Sequence, residues 1–413
     1  MKKKHYPTSL FIRFITHIVF TLFTKYYGIK ARIPESVKNL KAPYLVLGNH
    51  AGYWDPFIIG YFLPEYTHFV SSDAAFRNPV IRFFLTKLGT IPKRKSIKDT
   101  KVIRDIISVI EQGENIGIFA EATRNWSGKT QKIDPSISKL IKLLKVPVVV
   151  PVLKGMNLFN PRWAYKIRRT NVEIEYKLLF TEADVIKLSA NEIYDKFSKA
   201  VFHDEVEYQR NKMNVIHSRK RAEYINHALY LCPECKSIDN FSAKGNVFYC
   251  RSCGYDIYIN RYGFFERKSF GYLYFDNIRD WFYLENKQLI KFITKKIKTD
   301  CRDIIFEDIS SKVYVEAKNK KDLFFTGFAD IKLYTDKIVI DYTNKNNKII
   351  LPFSDIQTIN PQVNERLEIY YNNTAYRIIG NKPGISAIKW EIAANVIWKL
   401  SGQYSKLSSY INL

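Results

Sequence analysis

Short apolar runs that empty directly into polar turns constrain this chain more than any other feature, because they call for an open α/β sheet with its chemistry along one edge. The first run is Tyr44-Leu45-Val46-Leu47, which follows Pro43 and leads into Gly48-Asn49-His50-Ala51-Gly52-Tyr53-Trp54-Asp55. Four apolar residues bounded by turn formers read as a buried strand. A helix start comes next, with Asp55 suited to the N-cap, Pro56 to the first helical position, and Phe57-Ile58-Ile59 opening an apolar stretch. His50 and Asp55 are five residues apart, a step that on one helix would separate them by roughly 140°. They meet only if the chain bends between them, which Gly52 permits. Such a turn lies where open α/β sheets bind their ligands, at the carboxyl end of a strand. His50 is therefore a candidate general base and Asp55 the carboxylate that orients it. On these residues alone, a capping aspartate beside a hydrogen-bonded loop histidine is the simpler reading.

A second run, Ile116-Gly117-Ile118-Phe119, empties into Ala120-Glu121-Ala122-Thr123-Arg124. That turn offers a carboxylate, a hydroxyl and a guanidinium, and arginine grips phosphate or carboxylate in bidentate fashion. Between the two turns lies Gly89-Thr90-Ile91-Pro92-Lys93-Arg94-Lys95, and after them the proline-bracketed strand pattern Val146-Pro147-Val148-Val149-Val150-Pro151-Val152. Each segment also has a plain structural reading: Lys93 to Lys95 as a solvated charge run, Glu121 and Arg124 as a surface ion pair. Gly128-Lys129-Thr130 is no phosphate loop, because Thr123 stands where that loop needs glycine.

Taken in order, the four segments resemble the glycerophospholipid acyltransferase family, whose type member acylates lysophosphatidic acid. Asn49, His50 and Asp55 match its first motif, and Gly89, Ile91, Pro92 and Arg94 its second. Phe119, Glu121, Thr123 and Arg124 match the third, with Ala120 and Ala122 in place of proline and glycine. Val146, Pro147 and Pro151 match the fourth. The resemblance implies an α/β acyltransferase domain in which His50, oriented by Asp55, takes a proton from an acceptor hydroxyl that attacks an acyl thioester. Lys93, Arg94 and Arg124 would hold the acceptor phosphate, and Glu121 and Thr123 would line the substrate pocket. The implied donor is acyl-CoA or acyl carrier protein, the acceptor 1-acylglycerol 3-phosphate, and the product phosphatidic acid. Another lysolipid or hydroxylated lipid as acceptor is an alternative, as is a non-catalytic membrane or nucleic-acid adaptor on an inactive acyltransferase fold.

The chain carries a formal charge of +25, from 65 basic against 40 acidic residues. A surface so basic seeks polyanions, though charge alone does not choose among nucleic acid, anionic lipid and phosphorylated substrates. The N-terminus chooses. After Lys2-Lys3-Lys4, residues 9–25 are patterned as a helix with Leu10, Phe11, Phe14, Ile15, Ile18, Val19, Leu22 and Phe23 on one broad face, and Arg13, Thr16, His17, Thr21, Thr24 and Lys25 on the other. A basic flank beside Phe and Leu describes a helix lying in the membrane interface. The segment is too short and polar to span, and no small-residue cleavage site marks a signal peptide. We expect a peripheral, monotopic protein on the cytoplasmic face of the cell membrane, bound to an anionic surface, with nucleic acid the less favoured partner. The same helix packed on the protein's own core is the alternative.

Cys232-Pro233-Glu234-Cys235 and, 14 residues on, Cys250-Arg251-Ser252-Cys253 form two knuckles. Their spacing points to a four-thiolate zinc ribbon with a closed, structural Zn²⁺. Cys301 is left over as an inert thiol. Alternating segments such as 329–334 and 367–371, with turn signals at Asn372-Asn373 and a final helix patterned by Ile388, Ile392, Val396, Ile397 and Leu400, resemble a pleckstrin-homology-like or GRAM-like barrel of six or seven strands. The expected organisation is a membrane-interface helix over 1–27, the acyltransferase domain over 28–228, a zinc ribbon over 229–262 and a β-barrel-plus-helix domain over 263–413.

Overall fold

The computed structural model describes residues 6–93, 100–299, 302–316, 323–344, 347–362, 366–380, 386–411 and 413. Lys2 to Lys4, Arg94, Lys95 and Cys301 lie outside these residues. The chain divides into two compact units, one of residues 1–162 and 167–216, the other of residues 163–166 and 217–413.

The first unit runs α1 (Leu10–Tyr27), β1 (Lys30–Arg32), α2 (Glu35–Lys38), β2 (Leu45–Gly48), α3 (Asp55–Phe62), β3 (Thr67–Ser72), α4 (Pro79–Lys87), β4 (Ile91–Lys93), α5 (Thr100–Glu111), β5 (Asn115–Phe119), α6 (Ser136–Leu144), β6 (Val148–Lys154), α7 (Met156–Phe159), β7 (Glu173–Phe180), α8 (Glu182–Lys187), α9 (Ala190–Val201) and α10 (Glu205–Lys212). Its seven strands form one mixed sheet in the order β1-β7-β6-β2-β5-β3-β4. Strands β6, β2, β5, β3 and β4 all run parallel, while β7 opposes β6. Both faces are covered, as a near-continuous apolar strand requires. Leu45 and Leu47 of β2 pack with Val102, Ile106, Ile141 and Phe197 on one side, and Tyr44 and Val46 with Phe20, Ile58 and Ile59 on the other.

Helix α1 begins where the sequence puts it, with Ser9 as N-cap accepting from the Ile12 N–H. The face it turns inward is the opposite of the apolar one. Ile12, Phe20 and Thr24 are buried, Phe20 stacks on Phe57 at 5.4 Å, and the Arg13 guanidinium covers the Tyr66 ring at 3.9 Å. Leu10, Phe11, Phe14, Ile18, Val19 and Leu22 remain 43–77% exposed. Thr16, Thr21 and Thr24 turn their hydroxyls back onto carbonyls one turn earlier, Ile12, His17 and Phe20, so the inward face buries no unsatisfied hydroxyl. Phe23 of the apolar face also packs against Trp54 and Phe159, so the helix rests on the protein's own core while most of its apolar face stays exposed. Among the described residues no helix is long and apolar enough to cross a membrane.

The second unit begins twelve residues before the expected boundary at 228. Residues 217–228 belong to it because the Ala222 N–H bonds the Gly245 carbonyl and the Arg221 guanidinium donates to the Ile259 carbonyl. Strands β8 (Phe241–Lys244), β9 (Val247–Cys250), β10 (Asp256–Ile259) and β11 (Phe265–Arg267) form an antiparallel sheet in the order β11-β10-β9-β8. Helix α11 (Ile278–Lys298) follows, then seven antiparallel strands, β12 (Phe306–Glu316), β13 (Leu323–Leu333), β14 (Lys337–Tyr342), β15 (Lys348–Pro352), β16 (Ile356–Pro361), β17 (Arg366–Tyr371) and β18 (Thr374–Ile379), in the order β15-β14-β13-β12-β18-β17-β16. Helix α12 (Ile388–Leu400) is buried at every residue from Ile388 to Trp398. It carries Lys389, wholly buried and ion-paired with Asp239, just before β8, and Asp308 of β12. Asp308 also accepts from the Trp390 indole at 2.6 Å.

Candidate functional site

The site is set by four parallel strands that end on one rim. Past β2 the chain cannot run straight, because Gly48 lies against β6: a Cβ there would meet the Pro151 carbonyl oxygen at 3.1 Å and Ile59 at 3.3 Å. Asn49 then anchors the turn, its amide donating to the Leu153 carbonyl at 3.1 Å and accepting the Leu153 N–H at 2.8 Å. His50 is held through its backbone from both sides. Its N–H donates to Glu121 Oε1 at 2.7 Å, and its carbonyl accepts from the N–H and the side-chain amide of Asn125 at 3.0 and 3.1 Å.

The bend expected between His50 and Asp55 is present, with one correction. Trp54, not Asp55, is the N-cap of α3, and it makes no side-chain cap bond; Asp55 is already the first helical residue. Its carboxylate turns back instead, accepting the Ala51 N–H at 2.8 Å, the Gly52 N–H at 2.9 Å and His50 Nδ1 at 2.8 Å. Gly52 serves by its size, since a Cβ would stand 3.0 Å from Asp55 Oδ1 and 3.1 Å from Met156 Cε. Asp55 is fully buried, while the His50 side chain is 21% exposed and stacks on Phe119 at 4.1 Å. With Nδ1–H donated to Asp55, the Nε2 lone pair is the one left for chemistry. Burial pushes the His50 pKa below its ordinary value; the Asp55 hydrogen bond and charge oppose this, and the positive charges of Arg124 and Arg162 add to it.

Glu121 does not pair with Arg124 at the surface. It is buried at 2% exposure, and its second oxygen accepts the Gln131 N–H at 2.9 Å. Burial pushes its pKa up to about 8 against these backbone hydrogen bonds. One oxygen ties the turn after β5 to the turn after β2 and the other holds the chain at Gln131, so Glu121 is a brace. Ala122 is exposed and lies outside the left-handed region, so the turn asks nothing there that alanine fails to give. Thr123 is buried, and its hydroxyl accepts from Arg162 Nη1 at 2.7 Å. Arg162 also donates to the Arg124 carbonyl at 2.7 Å and lies over the Trp126 ring at 4.0 Å. Lys93 is exposed at the end of β4, three strand spacings or roughly 14 Å from β2. The structure thus gathers His50, Asp55, Glu121, Thr123 and Arg124, and leaves Lys93 at the far rim. Arg162, Asn125 and Trp126 escaped the sequence reading. The last two directly follow Arg124, whereas Arg162 sits in an irregular segment after α7 that no periodicity marks.

In the second unit the Sγ atoms of Cys232, Cys235, Cys250 and Cys253 lie within 4.8 Å of one another. Cys232 and Cys253 are 3.7 Å apart, as are Cys235 and Cys250. A tetrahedral metal with bonds to sulfur of about 2.3 Å has an edge of about 3.8 Å, whereas a disulfide needs about 2.05 Å. The four thiols fit a shared divalent metal.

Residues 28–154 match the acyltransferase family model. A 1-acyl-sn-glycerol-3-phosphate acyltransferase of Borreliella burgdorferi is 31% identical over 136 residues, which is 32% of this chain and 54% of that protein. The chain spans about half the length of the curated relative it matches. Among solved structures, the 1-acyl-sn-glycerophosphate acyltransferase PlsC of Thermotoga maritima is similar at 14% identity and a TM-score of 0.40, over 49% of this chain and 81% of that one. The N-terminal PH domain of human ARAP2 is similar at 19% identity and a TM-score of 0.18, over 22% and 80%. At such scores neither structural likeness carries weight. The chain contains an acyltransferase domain, on the strength of the family match and the curated relative.

Proposed function

We propose that this chain transfers a fatty acyl group from acyl-CoA or acyl carrier protein to the free hydroxyl of 1-acylglycerol 3-phosphate, making phosphatidic acid. The observation that carries the reading is the His50–Asp55 pair, with one ring nitrogen committed to a buried carboxylate and the other left over. Held neutral by burial, His50 takes the acceptor's hydroxyl proton as the oxygen attacks the thioester carbonyl. Asp55 fixes the tautomer and stabilises the imidazolium as it forms. When the tetrahedral intermediate collapses, the carbon–sulfur bond breaks and the imidazolium returns its proton to the leaving thiolate. No acyl-enzyme is needed. The N–H groups of Ala51 and Gly52 are taken by Asp55, so the developing oxyanion draws on other donors.

Arg124 would hold the acceptor phosphate by charge-assisted hydrogen bonds, with Lys93 and Arg94, the latter outside the described residues, as further cations. Thr123 and Glu121 support that pocket from beneath. The exposed apolar face of α1 would rest in the cytoplasmic leaflet as a peripheral anchor. The four cysteines would hold a structural Zn²⁺, and the seven strands closed by α12 would form a pleckstrin-homology-like module. The test is acyl transfer across a panel of lysolipids with both donors, with His50→Ala as control. Fastest turnover of lysophosphatidic acid, lost in the variant, supports the reading. A faster neutral lysolipid would change the acceptor, and undiminished turnover in His50→Ala would sink the mechanism and revive the adaptor. Atomic absorption should find one zinc per chain.

A further inference from the structure

Helix α11 turns Trp281, Phe282, Glu285, Leu289 and Ile293 inward. Trp281 donates its indole N–H to the Leu231 carbonyl, and Glu285 accepts the N–H groups of Tyr230 and Leu231, which fixes the helix's rotation. The face turned outward is consequently defined. Lys287, Lys291, Lys295 and Lys298 are all exposed on it. At about 100° per residue they fall, with Leu284, in an arc of about 80°, and the lysines extend along roughly 16 Å of helix. Tyr283 borders the arc on one side and Phe292 on the other, and these two with Leu284 are 38–42% exposed. None of the four lysines has an ion-pair partner among the described residues. The carboxylate on this arc, Asp280, is engaged by Asn277 and Arg279.

A lysine in the last turn is accounted for by the helix dipole, but Lys287 and Lys291 stand mid-helix and gain nothing from it. A row of like charges with no counter-charge costs folding free energy unless something anionic is brought to it. The apolar rim selects the partner. Phosphate and base edges of a nucleic acid are read best by the planar fork of arginine, and this arc has none. Point charges bordered by Leu, Tyr and Phe suit the headgroup layer of an anionic bilayer, where ammonium groups meet lipid phosphates and the apolar rim settles between them.

We infer that α11 is an electrostatic membrane contact, docking the second unit on anionic phospholipid through Lys287, Lys291, Lys295 and Lys298. It shares with the proposed function only the membrane as partner, and needs neither the acyl-transfer chemistry nor α1. The test is co-sedimentation of the full chain with phosphatidylcholine vesicles, with and without phosphatidylglycerol, comparing the parent with a variant carrying Lys287→Ala, Lys291→Ala, Lys295→Ala and Lys298→Ala. Each lysine near such a surface is worth about fivefold. The gain in binding on adding phosphatidylglycerol should fall at least tenfold in the variant, return when all four are arginine, and vanish for the parent at about 0.5 M salt. Binding to neutral vesicles, where α1 acts, should not change. An equal gain in parent and alanine variant overturns the inference. So does a parent that binds duplex DNA more tightly than anionic vesicles and loses only the DNA in the variant. A failed acyl-transfer assay leaves it standing.

Discussion

Among the described residues of the first unit, two histidine–carboxylate pairs contrast at its sheet, His50–Asp55 beyond the carboxyl ends of the strands and His68–Glu114 near the amino ends. Their exposures are reversed. In the first pair the carboxylate is sealed and the ring is 21% exposed; in the second the ring is 1% exposed and the carboxylate 27%. Their commitments differ as well. His68 Nδ1 meets the Gly89 carbonyl at 2.9 Å and its Nε2 meets Glu114, so neither nitrogen is left to receive a proton from a substrate. Gly89 is shaped around it: φ is +60°, and a Cβ would stand 2.6 Å from the ring. A histidine with both nitrogens facing protein acceptors is a staple. One with a single nitrogen committed keeps the other able to take up a proton.

This contrast can be broken most directly by exchanging the expected losses. His50→Ala should cut turnover by a factor on the order of 10² to 10⁴ while leaving the urea unfolding curve nearly unchanged. His68→Ala should do the converse. Turnover per folded molecule stays, but about 2 kcal/mol of stability is lost because a buried carbonyl and a half-buried carboxylate lose their partner. Two variants that both lost only stability would erase the distinction.

Smaller effects sharpen it. Arg162 touches Thr123, Trp126 and the Arg124 backbone, so Arg162→Ala should raise KM for the phosphorylated acceptor about tenfold, with a lesser change in kcat. Arg162→Lys should restore little, since one ammonium cannot reproduce two directed guanidinium bonds and a stacked face. Smallest is the pH effect. With its pKa lowered by burial, His50 stays deprotonated to below the ordinary histidine value of about 6.5. The acid limb of kcat/KM should therefore fall below that pH, and Arg124→Ala and Arg162→Ala should each move it upward. A limb above about 7 in the parent would mean that Asp55 outweighs desolvation.

The His50–Asp55 pair was visible in the sequence because its two apolar strands and its Asp-Pro helix start are local signals. The cap was misplaced by one residue, since whether a carboxylate faces its own helix or the preceding turn depends on Met156 and the Ala51 and Gly52 amides, contacts that spacing does not encode. The two faces of α1 were legible, but not which one the protein would claim. Phe20 and Arg13 find aromatic partners on α3 and at Tyr66, and that decided it. Arg162 was invisible because its partners lie about 38 residues upstream and no motif surrounds it. The boundary at 228 failed for a similar reason: residues 217–228 hold a hydrogen-bonding agreement with strands that come later in the chain.

Lys389, enclosed by Asp239 and Asp308, sets an order in time as well as in space. The cysteine knuckles leave the ribosome some 150 residues before the lysine that neutralises their neighbouring turn. Until α12 arrives, Asp239 lacks the cation it is paired with in the folded chain. A helix synthesised late supplies the cation for a carboxylate synthesised long before it.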